Sequence, residues 1–171
     1  MDISIIKAEF VNDFNGIKIG SNTAPKRLIE FLNLRCPYCK QWFVESSDTL
    51  NQAVAEGKIQ RVIKLLDKDK ISLQRGNIMH EYISSDPKKA LFQIQQAFET
   101  QEIWGDFELE AVAAYAEKNL HLTQQANQNL QQEIRNEAEQ ANINFVPTII
   151  LGEHIFDEAI DETTLHSYIA E

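Results

Sequence analysis

Runs of apolar residues divide the chain into strand-like and helix-like stretches. Ile3 to Val11 is apolar enough for a first strand, and Asn12-Asp13-Phe14-Asn15-Gly16 after it is a turn cluster. Ile17-Lys18-Ile19 reads as a short strand and Gly20 to Pro25 as a loop. Arg27 to Leu34 is an apolar run too short for most helices, and it fits a buried central strand. Trp42, Phe43, Leu50 and Val54 then recur at roughly helical spacing as far as Gly57, a residue suited to the position just past a helix end. Lys58 to Leu66 predicts a second core strand.

From the charged connection Asp67-Lys68-Asp69-Lys70 to about Asn142 the spacing is helical. Gly76 to Ser84 predicts one helix. Asp86-Pro87 has the residue types of an N-cap and a first helical position, ahead of the stripe Leu91, Ile94 and Phe98. Trp104-Gly105-Asp106 breaks the pattern, and Leu109, Val112, Ala113, Ala116 and Leu120 form the next stripe. Thr123 is expected to cap the last helix of the block, with Leu130, Ile134, Ala138 and Ala141 on one face. Gln and Asn are dense from Gln124 to Asn144, yet the stripe persists and Glu and Arg interrupt the tract, which fits a solvated helix face. Phe145 to Phe156 then reads as strand, Gly152 turn and strand, and Thr163 to Ala170 as a closing helix. This order predicts an α/β fold with an inserted helical subdomain: residues 1–66 and 143–171 form one domain and 67–142 the insert.

A chain of 171 residues can bury a sizeable single core. Its net charge of −10 argues against nucleic acid as a main partner, since phosphate binding needs a basic face, and against an anionic membrane surface. No apolar stretch approaches the length of a membrane span. The start, Met1-Asp2-Ile3-Ser4-Ile5-Ile6-Lys7, lacks the basic opening and long apolar run of a secretion signal, so the cytoplasm is the expected compartment.

The chemistry centres on Cys36-Pro37-Tyr38-Cys39, which holds both cysteines of the chain at the joint between the central strand and the helix after it. Cys-x-x-Cys in that place reads as a thioredoxin-like redox motif. Cys36 is expected at or near the N-cap with Pro37 at the first helical position. Unpaired N–H groups and the helix dipole then favour its thiolate, and Arg35 and Lys40 add nearby positive charge. The thiolate attacks in disulfide exchange, and Cys39, one turn deeper, resolves the mixed disulfide. Two plainer readings compete. A zinc site usually needs four ligands, and His80, His121, His154 and His166 are scattered with no second paired spacing. Incidental core thiols leave Pro37 and the flanking cations unexplained.

These residues carry a resemblance. The chain resembles the bacterial DsbA-like disulfide oxidoreductases of the thioredoxin superfamily over nearly its whole length. The matching features are the Cys36-Pro37-Tyr38-Cys39 motif after a core strand, Glu30 six residues before Cys36, the late Val146-Pro147-Thr148 motif, and the helical block between the halves. Pro37-Tyr38 is better known from glutaredoxins, and Phe156-Asp157-Glu158 stands where a Gly-containing turn is more usual.

The resemblance implies a thioredoxin-like fold with an inserted helical subdomain and exchange on protein or peptide disulfides, with a further redox partner and with no metal or organic cofactor. It implies that Glu30 handles the proton of Cys39, the alternative being a structural ion-pair partner. It also implies a cis Val146-Pro147 bond and a Val146-Pro147-Thr148 loop that holds the substrate backbone as an added strand, with Tyr38 in the apolar surface beside it. The dipeptide and the compartment favour reductase or isomerase work. Two other readings stay open: a non-catalytic or redox-sensing adaptor of the same fold, and a glutathione-linked enzyme of the kappa type, which typically has Ser at the first cysteine position.

Overall fold

The computed structural model describes residues 2–171. Five strands form one sheet: β1 (Ile17–Ile19), β2 (Lys26–Leu32), β3 (Ile59–Leu65), β4 (Thr148–Leu151) and β5 (His154–Phe156), in the order β1-β3-β2-β4-β5. β2 lies at the centre, parallel to β3 and antiparallel to β4. Between β2 and β3 run the helices α1 (Pro37–Glu45) and α2 (Ser47–Ala55), so the single expected helix is broken at Ser46. Gly57 follows in the left-handed region at φ 71°, as its place past the helix end predicts. Between β3 and β4 come α3 (Gln74–His80), α4 (Pro87–Glu99), α5 (Gln101–Trp104), α6 (Leu109–Lys118) and α7 (Gln128–Gln140), and α8 (Glu162–Ala170) closes the chain. Asp86 caps α4, accepting from the Lys88 N–H at 3.0 Å.

Strand alternation assigns the two sheet faces. Leu28 and Leu32 of β2 join Ile59, Ile63 and Leu65 of β3 under α1, α2, α8 and most of the inserted helices. Ile29, Phe31, Val62 and Ile150 face the other way, against Ile134, Ala138 and Ala141 of α7. Each face carries one buried cation of β3. Arg61 meets Glu30 on the first face, and Lys64 donates to Glu137 of α7 at 2.7 Å on the second, with Asn12 and Asn15 as further acceptors.

Two expectations are corrected. Ile3 to Val11 is not a strand: it forms short 3₁₀ turns at Ile3–Ile5 and Ala8–Phe10. Asp2 accepts from the Ser4 N–H, which favours the turn, while Ile6 and Val11 pack on the α7 side of the sheet. The apolar run therefore covers a sheet face without joining the ladder. Thr123 does not cap α7, which starts at Gln128 after Asn127, because residues 121–127 run across α3, with Gln125 N–H donating to Glu81 O and Asn127 to His80 O. Among the described residues no helix is long and apolar enough to cross a membrane.

Candidate active site

β2 ends at Leu32, the chain turns through Asn33, Leu34 and Arg35, and Cys36 stands at the N-cap of α1 with Pro37 at its first position. Pro37 has no N–H to leave unpaired, so the first turn directs the amides of Tyr38 and Cys39 toward the Cys36 sulfur. Cys36 is 5% exposed and Cys39 is fully enclosed. The Cys36 thiol is brought down from the ordinary 9.0 to about 7. A hydrogen bond from the Cys39 side chain is the main cause. Burial opposes it, the backbone N–H groups of Cys39 and Tyr38 reinforce it, and the Glu158 carboxylate opposes it. Cys39 is pushed well above 9.0, first by burial and then by its bond to Cys36, although the Asn33 N–H donates to its sulfur at 3.4 Å. The pair thus combines a thiolate available near neutrality with a thiol that keeps its proton, the arrangement stepwise exchange requires.

The predicted role of Arg35 is corrected. Its Nε donates to Gly105 O at 2.6 Å and its Nη2 meets Asp106 at 3.0 Å, so its charge is committed to the inserted helices. Local N–H groups and Cys39 acidify Cys36 instead.

The turn before Cys36 is held from below by residues that sequence reasoning passed over. Gln101, buried on α5, donates to Leu34 O at 2.8 Å and to Cys36 O at 3.1 Å. His80 of α3 accepts the Leu34 N–H at Nε2, 3.1 Å, and its Nδ1 lies 2.7 Å from Asp67 Oδ1. An accepting Nε2 places the ring proton on Nδ1, facing the carboxylate. Neither residue had a local signal, since the partners lie 46 and 67 positions away in sequence. Arg61 did have one: a cation inside an apolar strand needs an acid, and Glu30 was the acid available.

Glu30 is fully buried, and both of its oxygens accept from neighbours. Arg61 grips it in a fork, Nε to Oε2 and Nη2 to Oε1, both at 2.9 Å, and Trp42 Nε1 donates to Oε1 at 2.9 Å. Trp42 lies three residues beyond Cys39 on α1, so the acid ties the redox helix to the sheet. Glu158, from the segment that departs from a Gly turn, acts on both thiols as a nearby negative charge.

The Val146-Pro147 peptide bond is cis, and Cys36 Sγ donates to Val146 O at 3.5 Å. Val146 is half-buried, while Pro147 and Thr148 are buried. The Thr148 hydroxyl donates to Phe145 O at 2.6 Å, which braces the loop from within. Tyr38, 58% exposed, and Phe145, 46% exposed, line the same groove as Cys36. Among the described residues no cluster of His, Cys, Asp and Glu has the grouping of a metal site.

The family described as Thioredoxin matches residues 13–171. No curated protein matches this chain. A conserved protein of unknown function from Enterococcus faecalis V583 is 52% identical, with a TM-score of 0.98 over 100% of this chain and 98% of that one. The thiol-disulfide exchange protein α-DsbA2 from Wolbachia pipientis is 16% identical, with a TM-score of 0.68 over 95% and 89% of the two chains. A periplasmic thioredoxin-like protein from Salmonella enterica serovar Typhimurium is 19% identical, with a TM-score of 0.60 over 99% and 97%. With a family match over nearly all of its length, the chain belongs to the thioredoxin family.

Proposed function

We propose that the protein is a thiol–disulfide oxidoreductase acting on protein or peptide disulfides in the reducing or isomerising direction. The observation that carries this reading is the Cys36 thiol at about 7 beside a Cys39 thiol held well above 9.0. A nucleophilic thiol near 7 is like that of thioredoxin, a reductant, whereas DsbA, a strong oxidant, has one near about 3.5. The less the thiolate is stabilised, the less the reduced form is favoured and the more readily the pair gives up electrons.

In this scheme the Cys36 thiolate attacks one sulfur of the substrate disulfide. The substrate S–S bond breaks as the mixed disulfide forms, and the departing sulfur takes a proton from solvent. Cys39 then loses its proton and attacks Cys36 Sγ, which expels the second substrate sulfur as a thiol once protonated. Two electrons have passed to the substrate and the protein holds a Cys36–Cys39 disulfide, which a dithiol redox partner returns to the reduced form. Glu30, hydrogen-bonded to Trp42 one turn along from Cys39, is assigned the Cys39 proton. Val146 is assigned the substrate backbone, with Tyr38 and Phe145 as apolar contacts. The reducing direction is what favours the cytoplasm; a periplasmic neighbour of the same fold means that the fold does not.

Equilibration of the protein in glutathione redox buffers tests the reading. A reduction potential closer to the roughly −270 mV of thioredoxin than to the roughly −120 mV of DsbA is expected, together with catalysed reduction of a protein disulfide. A potential near that of DsbA overturns the direction. Absence of any exchange overturns the enzyme in favour of an adaptor.

A further inference from the structure

Beside Cys36 lies a groove of about 450 Å³. The Phe145–Val146 loop, Leu73 with the segment before it, and Tyr38 line it. The charged residues that line it are Arg35, Lys68 and Lys70, and no Asp or Glu lines it. This is unusual in a chain with 26 acidic residues against 16 Lys and Arg.

Lys68 is built into the site. Its N–H donates to Asn77 Oδ1 at 2.9 Å, and its C=O accepts from Asn77 Nδ2 at 2.8 Å. Asn77 in turn accepts from Asn33, whose Oδ1 receives the Arg35 N–H one residue before Cys36. Lys68 Nζ donates to Asn144 O at 2.9 Å and so joins two of the segments that line the groove. An ammonium has three donors, and Asn144 takes one. Arg35 is neutralised by Asp106. For Lys68 and Lys70, no carboxylate oxygen lies within the 4.0 Å of an ion pair among the described residues. Burial holds the Lys68 ammonium below its ordinary 10.5, and Arg135 and Lys70 press it further down, with Asp69 opposing. An arriving carboxylate reverses that repulsion.

We propose that this groove selects acidic polypeptide disulfides: an extended segment laid along Val146 whose Asp or Glu side chains, next to the reacting cysteine, meet Lys68 and Lys70. The inference rests on the exchange reading above and names its substrate class. Elsewhere the net negative surface repels such a segment, so the cationic groove also guides it to the sulfur.

Two synthetic peptides test this, each closed by one intramolecular disulfide and differing only in having aspartates or lysines beside one cysteine. Their reduction is followed by chromatography with dithiothreitol as the dithiol. The aspartate peptide is expected to show roughly tenfold higher kcat/KM at low salt, as two partly exposed ion pairs allow, with the ratio falling toward one in high salt. Lys68→Gln with Lys70→Gln brings the ratio near one, and Lys68→Arg with Lys70→Arg keeps it. A ratio of one or below in the unaltered protein, or a ratio that survives the Gln variants, overturns the proposal. If neither peptide is reduced, the exchange reading fails. Fluorescence anisotropy with the same peptides carrying serine for cysteine then decides the preference: tighter aspartate binding upholds it, and equal binding overturns it.

Discussion

Replacing Cys39 with alanine removes the hydrogen bond that does most to stabilise the Cys36 thiolate. Bringing Cys36 from 9.0 to about 7 corresponds to about 3 kcal/mol in favour of the anion. The contributors are the Cys39 thiol and the two amides of the first turn of α1, working against burial and Glu158. A hydrogen bond to a charged acceptor contributes roughly 1.5–3 kcal/mol, and a thiol is a weak donor at the low end of that range. Cys39→Ala is therefore expected to raise the Cys36 titration by about one pH unit, leaving the amide contribution in place. Cys39→Ser keeps an O–H donor and restores part of the shift. The assay is the rate of iodoacetamide alkylation against pH, checked by thiolate absorbance near 240 nm. The unaltered protein should show a midpoint near 7 for Cys36, with Cys39 unreactive until much higher pH. A Cys39→Ala midpoint at or below that of the parent would falsify this account and shift the cause to the helix terminus alone.

Glu30→Gln leaves the Arg61 guanidinium buried without its counter-charge, so unfolding free energy should fall by about 3–5 kcal/mol; stopped-flow traces should also show a slower resolving step, and if stability and both kinetic steps match the parent, Glu30 has neither role. Gln101→Ala strips a donor from Leu34 O and Cys36 O, at an expected cost of about 1–3 kcal/mol in denaturant unfolding, and an unchanged midpoint in denaturant counts against the strut. The reduced protein should become more stable relative to its Cys36→Ser variant as pH rises from about 7 to 9.0, because the unfolded thiol still holds its proton there while the folded one has lost it. Cys39, raised by burial in both proteins, largely cancels from the comparison, and a stability difference that falls between pH 7 and 9 contradicts the lowered Cys36 value.

The parts of the site that were legible in sequence are those fixed by local geometry. Cys36, Pro37 and Cys39 sit at a strand-to-helix joint, and spacing alone orders a first-turn N–H array around the first sulfur. β2 was legible because burial on both faces leaves a nearly continuous apolar run, whereas Gln60, Arg61 and Lys64 interrupt that of β3. What could not be read is whatever the inserted helices bring back. Arg35 looks like a partner for Cys36 by adjacency, yet its side chain reaches across to Gly105 and Asp106. The first apolar segment has the composition of a strand, and only the tertiary surroundings decide that it caps a face through turns, with Lys7 N–H donating to Ala141 O. The Gln- and Asn-rich tract does form a helix with one buried stripe, but its start moved to Gln128 because the preceding residues bond to α3.

Sheet pairing by hydrophobic alternation has a blind spot: sliding a strand by two residues returns every apolar side chain to the same face. In β3 such a slide moves side chains by about 6.6 Å along the strand. A slide toward the start of β2, which takes Arg61 from beside Leu28 to beside Lys26, would carry it away from Glu30, and a slide in either direction would carry Lys64 away from Glu137 of α7. A cation so displaced would sit without its acid, at a cost of several kcal/mol. The two buried ion pairs thus act as index marks on opposite faces of one strand, and they reject the misaligned sheet that oil-and-water patterning alone would accept.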